Sequence, residues 1–196
     1  IKYIKQDGSV GYYQTVNKTT PVAGDVKYVD RNGDGVVDDN DRDIIGNPNP
    51  DFTYGFQTKV SWKSLSLSAS FNGVQGRDIL NVGNRYNNTP GTKSNNVTRK
   101  AFQNMWTDEN PSNLYPKSTF VVQNMVMDRY VEDGSYLRCS DITLSYVLPA
   151  KWTNKIGIKN TSVYASVKNA FVITHYSGYD PEVNSFAFDG LRPGVD

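Results

Sequence analysis

Phe52-Thr53-Tyr54-Gly55-Phe56-Gln57-Thr58-Lys59-Val60-Ser61-Trp62-Lys63-Ser64-Leu65-Ser66-Leu67-Ser68-Ala69-Ser70-Phe71-Asn72-Gly73 decides the fold. Tyr54, Phe56, Thr58, Val60 and Trp62 alternate with Thr53, Gly55, Gln57, Lys59 and Ser61. After Lys63-Ser64 the alternation resumes, with Leu65, Leu67, Ala69 and Phe71 against Ser66, Ser68, Ser70 and Asn72. Period two in two runs joined by a tight turn predicts a β-hairpin. A second pair follows. Ile142, Leu144, Tyr146 and Leu148 alternate with Asp141, Thr143, Ser145 and Val147, and Pro149 ends the run. Val163, Ala165, Val167 and Phe171 alternate with Tyr164, Ser166, Lys168 and Ala170, with Asn169 on the apolar parity. The fold class is therefore all-β and antiparallel.

Two environments produce such alternation. In a soluble sandwich the apolar face is the core. In an outer-membrane barrel it meets lipid, and the polar face meets a wet lumen. Several features favour the barrel. The runs approach the ~9–11 residues of a tilted membrane strand. Lys59, Asp141 and Lys168 all fall on the polar parity, and Arg138, on the other parity, lies at a strand end. Tyr54, Trp62, Phe71, Tyr136, Tyr146, Trp152 and Phe171 gather near strand ends, as in an interfacial girdle. Gln57, Lys59, Asp141 and Lys168 would then line the lumen. Cys139, at lumen parity, reads as a small buried filler.

Composition narrows the function. The 196 residues carry 21 Lys+Arg against 20 Asp+Glu, a net charge of +1 that gives no argument for nucleic acid. One Cys and one His exclude an internal disulfide and two-His zinc motifs within this chain. Sixteen Gly, thirteen Tyr and 12% aromatics suit strands joined by polar loops. No long apolar helix and no leader peptide can be read. No Ser-His-Asp set or carboxylate pair stands out, so the chain is not expected to be an enzyme and a glycoside hydrolase is the weakest reading. His175, beyond the last run, suits a loop role.

Connections alternate in length: two residues at Lys63-Ser64, a very long stretch over 74–135, a moderate one over 149–161, then an irregular tail. Short inner turns and long outer loops are the barrel habit. The acidic loop at 24–51, the loop at 74–135 and the tail from His175 would share the outer side. Val97, Lys100, Ala101 and Met105 predict one helix near Asn96–Trp106. A further hairpin is expected around Asp7-Gly8.

Asp30-Arg31-Asn32-Gly33-Asp34-Gly35-Val36-Val37-Asp38-Asp39-Asn40-Asp41 has the spacing of an EF-hand-type calcium loop. Oxygen side chains stand first, third, fifth, ninth and twelfth, with Gly35 sixth and the Val36 carbonyl seventh. Asp41 replaces the usual Glu, as in dockerin-like loops. The predicted ligands of a structural Ca2+ are Asp30, Asn32, Asp34, Val36, Asp38 and Asp41. Without a cation, Asp30, Asp34, Asp38, Asp39, Asp41 and Asp43 repel one another, opposed by Arg31 and Arg42.

Several blocks in order resemble one family. They are Gly24-Asp25-Val26-Lys27-Tyr28-Val29-Asp30-Arg31-Asn32-Gly33-Asp34-Gly35, Ile44-Ile45-Gly46-Asn47-Pro48-Asn49-Pro50-Asp51-Phe52-Thr53-Tyr54-Gly55-Phe56, and Phe71-Asn72-Gly73-Val74-Gln75-Gly76-Arg77-Asp78. Asp133-Gly134-Ser135-Tyr136-Leu137-Arg138, Ile142-Thr143-Leu144-Ser145-Tyr146-Val147-Leu148-Pro149, Lys168-Asn169-Ala170-Phe171 and Ser177-Gly178-Tyr179-Asp180-Pro181-Glu182 continue the series. Together they resemble the C-terminal barrel of SusC/RagA-like TonB-dependent transporters. The resemblance implies part of a 22-stranded barrel around a plug and a SusD-like surface lipoprotein partner. It also implies energy from the TonB complex and import of large nutrients, usually oligosaccharides and sometimes peptides, across the outer membrane of Gram-negative Bacteroidota. This chain lacks a TonB box, a plug and a final aromatic-ended strand, and is expected to be a C-terminal barrel fragment.

Cargo sites combine aromatic faces with amide and carboxylate groups. The candidates are Tyr86, Trp106, Tyr115, Tyr176 and Tyr179, with Asn87, Asn88, Phe102, Phe186 and Phe188 near them in sequence; packing of the loops on each other or on the lipoprotein partner is the commoner use of such aromatics. The rival reading is a soluble β-sandwich that binds carbohydrate with a calcium-braced loop. It requires Tyr54, Phe56, Val60, Leu65, Leu67, Phe71, Ile142, Leu144 and Val163 to pack into one core.

Overall fold

A computed structural model describes residues 2–4, 10–12, 22–88, 96–118, 126–154, 157–158 and 161–182. Strands β1 (Lys2–Ile4) and β2 (Val10–Tyr12) pair antiparallel. They flank the expected Asp7-Gly8 turn, which lies outside the described residues, as do Phe186 and Phe188. Strands β3 (Phe52–Trp62) and β4 (Leu65–Gln75) form the hairpin around Lys63-Ser64. Lys63 takes a φ of 55° there. Next come β5 (Asp78–Leu80), α1 (Val82–Asn88), α2 (Arg99–Asn104) and β6 (Val131–Asp133). Strand β7 (Tyr136–Val147), helix α3 (Ala150–Thr153) and strand β8 (Ser162–Thr174) complete the order.

The chain divides into two compact units, chiefly Ile1–Ile45 with Leu80–Tyr130, and Gly46–Ile79 with Val131–Asn184. The second unit holds an antiparallel sheet in the order β3-β4-β7-β8. Its strands run 11, 11, 12 and 13 residues, enough for a tilted span of ~9–11.

Register sorts the side chains into rows. On one face lie Trp62, Leu65, Tyr146 and Val163, then Val60, Leu67, Leu144 and Ala165, then Thr58, Ala69, Ile142 and Val167. The next row is Phe56, Phe71, Cys139 and Phe171. The rings of Phe56 and Phe71 stack at 4.7 Å, and Phe71 meets Phe171 at 6.4 Å. No second sheet covers this face among the described residues. Val60 is 64% exposed, Phe56 51%, Leu67 47% and Val163 51%. The single core required by the sandwich reading is not formed by these residues. Burying each such side chain is worth about 1.5–3 kcal/mol. Summed over the rows, that rivals the ~5–15 kcal/mol that holds a whole domain together. The face is built to be covered by something other than water.

Two expectations of parity are corrected. Between β4 and β7 the register shifts at Ser70/Phe71, leaving Ser140 as an extra residue. A bulge inserts one residue and reverses every side chain beyond it. Cys139 therefore stands on the apolar face beside Phe71 and Phe171, fully buried, and not at lumen parity. Arg138 stands on the polar face opposite Asn72, not on the apolar one. Strand β8 answers with two residues, Asn169 and Ala170, opposite the single Ser140, and Asn169 takes a φ of 49°. Its apparent apolar parity thus belongs to a bulge.

Among its described residues, the connection from 74 to 135 carries α1 and α2, and its ends pair as β5 and β6. Helix α2 falls inside the expected Asn96–Trp106, with the Thr98 hydroxyl capping the Ala101 N–H at 3.2 Å.

Candidate functional site: two faces and a loop cavity

The polar face of the sheet carries Gln57, Ser70, Asp141 and Lys168 in one row, and Lys59, Ser68 and Thr143 in the next. The structure thus brings together the residues expected to line a wet interior. Thr143 donates to Asp141 at 2.9 Å, and the Ser61 and Ser66 hydroxyls meet at 2.9 Å. Beyond them, at the row of Asn72 and Arg138, ion pairs join Arg138 to Asp180 and Glu182. These partners lie over forty residues along the chain, and no spacing in the sequence announces them.

The first unit holds a cavity of about 1050 Å³. Tyr28, Trp106, Tyr115 and Arg129 line it beside the acidic loop. Its frame is local backbone pairing. The Trp106 N–H donates to the Tyr115 carbonyl at 3.1 Å, and the Lys117 N–H to the Gly24 carbonyl at 2.9 Å. Lys117 and Asp25, both largely buried, pair at 3.0 Å. The Trp106 ring lies on Gly24, whose φ is 87°; a Cβ there would come within 2.5 Å of the ring. Only glycine meets both demands without strain. The Arg129 guanidinium sits 5.9 Å from the Tyr115 ring centre and donates to the Leu114 carbonyl at 2.7 Å. The Tyr28 hydroxyl is buried without a hydrogen-bond partner, and its pKa is pushed up by burial, with Tyr130 and Asp25 adding to the rise.

Of the cargo candidates, Trp106 and Tyr115 line this cavity. Tyr86 stands on α1 beside Arg85, with Asn87 and Asn88 following on the same helix. Phe102 is exposed on α2. Tyr176 is buried in the second unit, and Tyr179 there is 89% exposed. Tyr28 was not foreseen, since a tyrosine before an acidic motif carries no mark of burial.

The acidic loop folds through its own carboxylates. Asp30 accepts from the Gly33 and Gly35 N–H groups at 2.7 and 2.8 Å. Asn32 accepts from Asp34 at 2.9 Å, Asp34 from Val36 at 2.8 Å, and Asp38 from Asn40 at 2.8 Å. Asp41 closes the loop, accepting from Arg31 and Asp38, each at 2.8 Å. Burial raises the Asp41 pKa, but the N–H groups of Asp38, Arg31 and Asn32 outweigh it and hold the carboxyl below its usual value. Arg31 pairs with Asp43 at 2.6 Å and Arg42 with Asp39 at 2.8 Å. Among the described residues, no three Asp, Glu, His or Cys side chains converge as a metal-holding group.

No family model matches the chain. TonB-dependent receptor P26 of Formosa agariphila is 33% identical over 175 residues, covering 87% of this chain and 17% of that protein. TonB-dependent receptor SusC of Bacteroides thetaiotaomicron is 34% identical over 165 residues, covering 81% of this chain and 15% of its own length. The chain thus spans about a sixth of the curated relatives it matches. Among solved structures, the RagAB peptide importer in its closed-closed state superposes with a TM-score of 0.66 at 29% identity, over 79% of this chain and 18% of that one. Its open-open state gives 0.61 at 28% identity, over 87% and 18%. With its antiparallel strands matching a stretch of those proteins, the chain belongs to the SusC/RagA-like TonB-dependent receptor family.

Proposed function

We propose that this chain supplies wall and outer loops to a TonB-dependent importer in the outer membrane of a Gram-negative bacterium. The uncovered apolar face carries the reading: Phe56, Val60, Leu67 and Val163 point away from any protein core among the described residues, and lipid is the solvent that suits them. The opposite face, with Gln57, Lys59, Asp141 and Lys168, would border the transport path. A SusD-like lipoprotein is the proposed outer partner, and the TonB complex the energy source for the whole protein.

Oligosaccharides are the proposed cargo, held first at the loop cavity. Trp106 and Tyr115 offer flat aromatic surfaces there, and the unpartnered Tyr28 hydroxyl offers a donor. Cells carrying the full-length receptor with Trp106→Ala and Tyr115→Ala should take up oligosaccharide about tenfold more slowly, as for loss of a buried aromatic anchor. Loss of peptide uptake with oligosaccharide uptake intact would instead assign a peptide cargo.

The acidic loop is proposed to hold one structural Ca2+. Each ionised carboxylate has about four acceptor positions, so its bonds to backbone N–H groups leave room for a cation. Asp30, Asn32, Asp34, Asp38 and Asp41 with the Val36 carbonyl are the proposed ligands. Calorimetry should show one site for Ca2+ on the full-length receptor, lost in Asp30→Ala. Equal heats for both proteins would mean that this loop holds no calcium.

A further inference from the structure

One charged assembly on the polar face exceeds what a wall needs. The Arg138 side chain is only 11% exposed. Its Nη2 donates to both carboxylate oxygens of Asp180 at 2.7 Å. Its Nε lies 2.9 Å from a Glu182 oxygen, an ion pair rather than a linear hydrogen bond. Glu182 also accepts from Asn72 at 3.3 Å and from the Tyr136 hydroxyl. Arg77 donates to the Pro181 carbonyl. Asp180, Pro181 and Glu182 are thus each held by a group from the sheet or its end.

The rest of the segment is anchored separately. Ser177 donates its N–H and its hydroxyl to the two Glu132 oxygens at 2.8 and 2.9 Å. Tyr176 is buried and lies over Gly178, where a Cβ would come within 2.4 Å of the ring. Pro181 is fully buried. Tyr179, between these anchors, is solvent-facing.

We infer that residues 175–182 form a releasable strap across the polar face, latched by Arg138 gripping Asp180 and Glu182. This rests on that face bordering the transport path. Most attachments are charge-assisted hydrogen bonds, and the Asp180 and Glu182 side chains remain 26% and 40% exposed, so water can replace the grip. Only Tyr176 and Pro181 add apolar burial. Such a segment opens locally at far lower cost than the strands beneath it. Latched, it covers the row of Asn72 and Arg138; released, it bares that row and the two guanidinium groups. The bulge at Ser140 is what delivers Arg138 to this face, which gives the irregularity a purpose.

The test uses the full-length receptor in its membrane. Asp180→Asn with Glu182→Gln keeps both shapes, removes both charges and leaves the sheet untouched. Chymotrypsin cleavage in the strap should then rise about tenfold over wild type, the response expected when the open population controls cleavage. A spin label at Tyr179→Cys should gain mobility in the same background. Arg138→Lys keeps the charge but loses the fork, and should lie between the two. Unchanged cleavage and mobility in the double variant would overturn the latch. Lipid accessibility at Phe56 and Val60, read in the same membranes, reports on the wall independently, so either reading can fail without the other.

Discussion

Asp41 shows how one side chain can close a loop. Its carboxylate gathers the N–H groups of Arg31, Asn32 and Asp38, and they hold its pKa below the ordinary 3.8. A carboxyl with a depressed folded pKa contributes stability above its unfolded pKa and loses it as pH falls through the folded value. The contribution is therefore complete near neutrality and disappears only in acid, below about pH 4. Protection of the Arg31 and Asp38 amides from exchange, taken relative to the intrinsic rate at each pH, should be high at neutral pH and fall below that point. In Asp41→Asn it should be low throughout. Matching protection in the two proteins across the whole range would deny Asp41 this role. Cys139 makes the complementary point. Position alone does not define its environment, because a bulge one residue away decides which face it joins.

At the scale of the element, that bulge is the sheet's most consequential irregularity. It places Arg138 on the polar face, and the value of that placement is read by removing the guanidinium. Arg138→Met leaves Asp180 and Glu182 without their cation, which costs about 3–5 kcal/mol for a buried pair and less at this partial exposure. The substitution should lower the heat resistance of the folded receptor on semi-native gels, and adding Asp180→Asn should lower it little further, since the ion pair is already gone. Additive losses would show that Arg138 and Asp180 act separately. The hairpin over 52–75 and the strands at 142–147 and 163–171 are legible in the sequence, because period-two alternation needs no partner to be seen. The stretch from Tyr136 to Cys139 reads out of phase, because an inserted residue reverses parity without leaving a turn residue behind. In the loops, the oxygen spacing of 30–41 is visible, and so are Trp106 and Tyr115. What is not visible is that Gly24 seats the Trp106 ring, or that Arg138 meets residues 180 and 182. Those contacts depend on where the chain returns.

At the scale of the whole molecule, a four-stranded sheet with one apolar face bare in the described residues has two outer strands, β3 and β8, each lacking a neighbour on one side. Unpaired edges invite aggregation unless something pairs with them, and a barrel wall supplies both the missing neighbours and the lipid. If the sheet is barrel wall, the rows of Phe56, Val60, Leu67 and Phe71 meet lipid. Spin labels placed singly along residues 53–73 of the receptor in its membrane decide this. A lipid-soluble relaxer should reach Phe56, Val60, Leu67 and Phe71, while a water-soluble one should reach Gln57, Lys59 and Ser68. Apolar positions shielded from both relaxers would instead mean that this face packs into a protein core and that the sheet is no membrane wall.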